Sequence, residues 1–168
     1  MSKQLVIFKV ENENFGVEIT QVKEIIKMVQ IFKVPNVPEF VEGLINLRSR
    51  VYAIYNLRKK FNFPAADFSE NTKIIIADVE STTIGFIVDE VSKIIRVEEE
   101  NMEDTPRSVS SIHEKYLRGV AKVDNEIILI LDLLTIVSTV NQEINEVISN
   151  ANIEELEGKK ETKKEAKK

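Results

Sequence analysis

The sequence predicts an all-β protein of short strands built from two copies of one unit, and three observations predict it. At an offset of 69 residues, Leu5-Val6-Ile7-Phe8-Lys9-Val10 returns as Ile74-Ile75-Ile76-Ala77-Asp78-Val79, and the stretch from Gly16 to Lys27 returns as Gly85 to Arg96. At an offset of 76, Gly43-Leu44-Ile45-Asn46-Leu47 with Val51, Ile54 and Leu57 returns as Gly119-Val120-Ala121-Lys122-Val123 with Ile127, Ile130 and Leu133. The apolar runs are short and alternate with period two or are continuous, and the gaps between them leave no room for crossover helices. Antiparallel barrels or sandwiches follow, and the seam between two copies is a natural binding site.

Taken in order, strands are expected near 4–10, 15–19, 24–29, 43–48 and 51–56, and again near 73–80, 83–89, 93–97, 116–123 and 127–132. Asn12-Glu13-Asn14 and Glu80-Ser81-Thr82 supply the first turn of each copy, and Asp124-Asn125 a later one whose residues tolerate positive φ. Thr20-Gln21-Val22 and Asp89-Glu90-Val91 suit a single cap-like turn. Asn56 and Asp132 each stand before a short closing helix, because their side chains accept from backbone donors just downstream. The acidic strip from Glu98 through His113 reads as the loop that makes the second copy seven residues longer. Beyond residue 140, Ile144, Val147, Ile148 and Ala151 take helical spacing, so a C-terminal helix is expected over 141–156 and a disordered lysine-rich tail over 157–168.

Composition excludes several classes. The 168 residues contain no cysteine, which removes disulfides, thiolate metal sites and cysteine nucleophiles. The formal net charge of −5 hides an asymmetry, since Lys159–Lys168 holds six lysines and two glutamates and the other 158 residues carry a net of −9. An acidic body is a poor nucleic-acid platform. The start runs straight into a strand pattern with no signal-peptide regions, and no apolar stretch reaches bilayer-spanning length, so a cytoplasmic protein is expected. His113 beside Glu114 is the one acid–base candidate, without a nucleophile pattern to serve. The carboxylates from Glu98 to Asp104 lack the glycine and ligand spacing of an EF-hand loop, and there is no phosphate-cradling glycine loop. No enzyme activity, cofactor or metal is expected.

The run Pro38-Glu39-Phe40-Val41-Glu42-Gly43-Leu44-Ile45-Asn46-Leu47-Arg48, then Val51 and Leu57-Arg58-Lys59-Lys60-Phe61, resembles the central signature of the CheW-like chemotaxis coupling proteins. Gly85-Phe86-Ile87-Val88-Asp89-Glu90-Val91 and Tyr116-Leu117-Arg118-Gly119-Val120-Ala121-Lys122-Val123-Asp124 resemble its later motifs, and the likeness spans about residues 3–138. It implies two SH3-like five-stranded antiparallel β-barrels related by a pseudo-twofold. Residues 11–70 would form the first and 71–138 the second, with strand 4–10 available to complete the second. It also implies a non-enzymatic adaptor between the cytoplasmic tip of methyl-accepting chemoreceptors and the regulatory domain of a CheA-type histidine kinase, in arrays on the inner face of the membrane. A divergent adaptor of another chemosensory or surface-motility pathway is the alternative. The segment after residue 140 is too short for a receiver domain, which points to a simple coupler.

By the same resemblance, Val22, Glu24 and Arg48 are receptor-binding candidates and Gly43 a kinase-binding one. The Arg48 guanidinium could address a carboxylate with two parallel bonds. Val22 suits a core position and Gly43 a bulge or close backbone approach, so both would act through local shape. The chain departs from the family pattern at Ser49, where glycine is usual, at Ala53 for proline, at Tyr55 for an aliphatic residue and at Asn56 for aspartate. Ser49-Arg50 makes a weaker hairpin turn than one with glycine, so the expectation is an altered hairpin or a strained Ser49.

Overall fold

The computed structural model describes residues 2–104 and 114–136. The first copy supplies β1 (Ser2–Val10), β2 (Glu13–Glu18), β3 (Val22–Lys27), β4 (Val41–Leu47), β5 (Arg50–Asn56) and the one-turn helix α1 (Leu57–Lys60). The second supplies β6 (Lys73–Val79), β7 (Thr82–Val88), β8 (Glu90–Glu98), β9 (Met102–Glu103), β10 (Leu117–Val123) and β11 (Glu126–Leu131). A helical turn follows at 133–136, its start held by the Thr135 N–H donating to Asp132 Oδ1 at 3.1 Å. Asn56 caps α1 in the same way, accepting from the Lys59 N–H at 3.3 Å. The helix expected over 141–156, the tail over 157–168 and His113 lie outside the described residues.

The strands form two sheets, ordered β8-β1-β2-β11-β10-β9 and β3-β6-β7-β5-β4. Each sheet is built from both copies. The hairpin β1–β2 of the first copy joins β8–β11 of the second, and the hairpin β6–β7 of the second joins β3–β5 of the first. Residues 11–70 and 71–138 therefore do not each make one sheet; two hairpins have changed places. The exchange also places one parallel contact in each otherwise antiparallel sheet, β2 on β11 through Gly16↔Ile130 and β5 on β7 through Ile54↔Gly85.

Three apolar layers hold this arrangement. Val6, Phe8, Val10, Phe15 and Val17 of one sheet meet Tyr55, Ile75, Ala77, Ile84, Phe86 and Val88 of the other in a shared central core. The opposite faces cover two smaller cores, Leu5, Ile7, Val97, Ala121, Ile128 and Ile130 in one sheet and Ile45, Tyr52, Ile54, Ile74, Ile76 and Ile87 in the other. Strands β1 and β6 are thus covered on both faces, which is why they read as unbroken apolar runs. Phe8 lies 5.8 Å from Phe15 and 5.7 Å from Phe86 by ring centroids, and Phe15 lies 5.5 Å from Phe61. Each fully buried ring contributes roughly 1.5–3 kcal/mol by area, so this aromatic line ties the sheets together.

Neither ladder closes as a full barrel, yet each curls over its small core in the SH3-like manner. In one sheet the chain leaves β8, makes a 3-10 turn at Glu99–Asn101 and returns as β9 against β10. In the other it leaves β3 and returns at Phe32, which exchanges two 2.8 Å backbone hydrogen bonds with Leu44 of β4. Gly43 and Gly119, equivalent by the repeat, make these returns possible. A Cβ on Gly43, whose φ is +146°, would sit 2.2 Å from the Phe32 carbonyl oxygen, and one on Gly119 would sit 2.5 Å from that of Glu103. The acidic strip is thus less of a loop than its charge suggested, because β8 and β9 carry their carboxylates outward along sheet edges.

Candidate docking site at the tip of the β4–β5 hairpin

Strands β4 and β5 are joined by two residues, Arg48 and Ser49, with φ of 49° and 67°. Two positive φ angles are the signature of a type I′ turn, whose twist matches that of the strands it joins. The equivalent β10–β11 turn uses Asp124 and Asn125, at 51° and 64°, residues suited to that region. Ser49 is not so suited, and a left-handed non-glycine residue costs about 1–2 kcal/mol. The hairpin keeps its shape, but it turns on Arg48-Ser49 and not on Ser49-Arg50, and both residues carry the left-handed strain.

That turn aims Arg48 at Glu24. The two guanidinium nitrogens Nη1 and Nη2 donate to Oε2 and Oε1 of Glu24 at 2.8 and 2.9 Å. Glu24 is placed by a bulge in β3, where Val22 pairs with Ala77 and Glu24 with Ile76, so Lys23 is extra. The Arg48 side chain is 73% exposed and that of Glu24 21%. The hydrogen bond from Arg48 holds the Glu24 carboxyl below its ordinary value, and the same bond raises the Arg48 guanidinium above its own. Arg48 was expected to wait for a partner's carboxylate; its fork is already occupied from within the chain.

Of the four residues singled out in the sequence, the structure brings Glu24 and Arg48 into contact and leaves two behind them. Val22 packs half-buried on the central core. Gly43 is buried beneath the Phe32 backbone and presents no surface of its own. The Asp89-Glu90-Val91 stretch makes no helical turn. Instead Asp89 receives two bonds from Arg58, a residue quoted for its motif and given no role. Sequence reasoning also passed over exposed apolar side chains, among them Ile25 at 39% and Val51 at 63%. Their repeat equivalents Ile94 and Ile127 are exposed too, at 56% and 59%. The alignment of the two copies was the signal available, since it pairs these positions across the repeat.

Asn56 shows how one departure from the family pattern is accommodated. Its Nδ2 donates to Glu42 Oε1 at 2.8 Å, and Lys59 Nζ reaches the same oxygen at 2.9 Å. An aspartate there would have no proton for that bond. Tyr55 is buried, and desolvation pushes its phenol up to about 12. Nothing in the structure explains Ala53.

Among the described residues no group of three potential ligands could hold a metal ion, and no helix is long and apolar enough to cross a membrane. Residues 4–141 match the CheW-like domain. The chain belongs to the CheW-like family. It is 32% identical to the chemotaxis protein CheW of Treponema pallidum over 77% of this chain and 79% of that one. It is also 32% identical to the CheW of Bacillus subtilis, over 77% and 83%. Among solved structures, the scaffolding protein TtCheW from Thermoanaerobacter tengcongensis superposes with a TM-score of 0.73 and 36% identity, over 79% of this chain and 86% of that one. The CheW-like chain is accordingly a chemotaxis coupling adaptor and not an enzyme, and a role in another chemosensory or surface-motility pathway is not favoured.

Proposed function

We propose that the chain joins the cytoplasmic tip of methyl-accepting chemoreceptors to the regulatory domain of a CheA-type histidine kinase, within receptor arrays on the inner face of the membrane. The observation that carries this reading is the Arg48–Glu24 fork, fixed in aim and largely open to solvent at a hairpin tip. A receptor carboxylate that reaches Arg48 exchanges with Glu24, so recognition is a swap of partners at little net electrostatic cost. Val22 serves by seating the strand that presents Glu24. Ile25 and Val51 add exposed apolar surface on β3 and β5.

The kinase is assigned to a separate surface, with Gly43 acting indirectly. By admitting the Phe32 backbone against β4, it fixes an aromatic ring that is 52% exposed. Such a pinned, exposed aromatic is the type of residue that anchors protein interfaces. Residues 3–138 are proposed as the unit that carries both surfaces.

Reconstitution with a CheA-type kinase and a receptor fragment tests the assignment, reading autophosphorylation and the capture of each partner. Arg48→His and Glu24→Ala are expected to weaken receptor capture at least fivefold more than kinase capture. Equal loss of both partners would overturn the division of surfaces.

A further inference from the structure

The Arg58 side chain, 16% exposed, is the centre of a cluster that joins four separate parts of the chain. Its Nε and Nη2 donate to Oδ1 and Oδ2 of Asp89 at 2.9 and 2.6 Å. Its Nη1 donates to Glu11 Oε2 at 2.5 Å and to the Pro64 carbonyl at 2.7 Å. Asp89 Oδ2 also accepts the Glu11 N–H at 2.8 Å, and the Asp89 N–H donates to the Lys9 carbonyl at 2.9 Å. Glu11 turns the β1–β2 hairpin in one sheet, Arg58 follows β5 in the other, and Asp89 is the residue at which the chain crosses between them. The cluster therefore fastens both sheets at a crossover.

The repeat supplies an internal control. The equivalent crossover is at Thr20, between β2 and β3, and the residues matching Arg58 and Asp89 are Leu134 and Thr20. Leucine has no donors and Leu134 is 43% exposed, so among the described residues the guanidinium cluster has no counterpart at that end. Glu18, just before that crossover, pairs instead with Lys3 at 2.9 Å and Arg118 at 3.4 Å, both in its own sheet. Among the described residues, one crossover carries a side-chain tie between the sheets and the other carries none of this kind.

We propose that Arg58 is a one-ended clamp that sets the angle between the two sheets, holding them at the Asp89 crossover. A half-buried, bidentate guanidinium is directional as well as strong, so it fixes orientation where apolar layers alone allow sliding. The seam between the sheets, and every surface that spans it, takes its width from this clamp.

The absence of native cysteines makes a distance measurement direct. Lys27→Cys on β3 and Lys93→Cys on β8 place spin labels at exposed positions in different sheets. With Arg58 intact, pulsed electron–electron resonance should give one narrow distance distribution. Arg58→Met, or Asp89→Asn where the first variant does not fold, should broaden or shift it in protein whose circular dichroism is unchanged, while Glu24→Gln should not. An unchanged distribution in a folded Arg58→Met or Asp89→Asn protein would overturn the clamp. The measurement needs neither receptor nor kinase, so its outcome is independent of the partner assignment.

Discussion

Arg48 and Glu24 stand 24 residues apart in sequence and are joined by two parallel hydrogen bonds of 2.8 and 2.9 Å, one from each Nη nitrogen. The relationship depends on a left-handed turn at one end and a strand bulge at the other. Neither feature is a contact in its own right, but together they aim two side chains.

The pair should be visible in the titration of Glu24. Its folded-state pKa is lowered, chiefly by the hydrogen bond from Arg48, so the pair's contribution is present above the ordinary value of 4.5 and is lost as pH falls through the folded value. Carbon-detected NMR should show Glu24 still mostly ionised at pH 4.5, the ordinary value for the group. In Arg48→Met its midpoint should return to the ordinary range, and no return would mean that Arg48 does not hold the carboxylate in solution.

Ser49→Gly should stabilise the protein by about 1 kcal/mol, because the native φ of 67° is costly for serine and free for glycine. The gain is reduced by the wider freedom glycine has when unfolded. Urea midpoints at neutral pH measure it. A destabilised glycine variant would show that the serine carries no strain.

Gly43→Ala should be costly, since its Cβ meets a backbone oxygen at 2.2 Å and its φ of +146° disfavours any side chain. The loss expected is about 1–3 kcal/mol for the strained backbone, with the Phe32 and Leu44 amides losing their protection from hydrogen exchange. Gly16→Ala is the comparison. Its Cβ would meet side chains and not backbone, Ile128 at 3.2 Å and Ile7 at 3.3 Å, and its φ is not left-handed, so the smaller effect belongs there.

Asn56→Asp should keep the helix cap and lose the bond to Glu42, placing two carboxylates together in a half-buried site. A cost of about 1–3 kcal/mol follows from the lost bond and the unpaired acceptor. Adding Glu42→Gln should recover most of it, because the new amide can donate to the new carboxylate. A double-mutant cycle in urea that shows simple additivity would refute the contact.

Tyr55 gives the alkaline limit. Its phenol is raised to about 12 in the folded protein, so above pH 10 the unfolded chain ionises first and stability falls with rising pH. The full effect of a two-unit shift is about 2–3 kcal/mol, spread between roughly pH 10 and 12. Tyr55→Phe should remove that share of the slope in unfolding free energy against pH. Parallel slopes for the two proteins would exclude Tyr55 as the cause.

The duplication, the strand-rich class and the family were legible in the sequence, because burial on a pleated strand leaves a local record in the order of apolar residues. The turns were legible where asparagine or aspartate filled them, and so were both helix caps. Hidden were the return strand at Phe32 and β9, each too short to leave a period. The roles of Gly43 and Gly119 were hidden with them, since a missing Cβ does not name the backbone that occupies its place.

By itself the chain determined which segments become strands, where they turn and what kind of protein they make. Only the tertiary structure decided that the two copies exchange hairpins, that Arg48 already holds Glu24, and that Arg58 joins both sheets at the Asp89 crossover. The reason is range. Propensity, capping and alternation act over a few residues, whereas Gly16 meets Ile130 and Glu11 meets Asp89 only after the chain has chosen between sheets that bury nearly the same pattern.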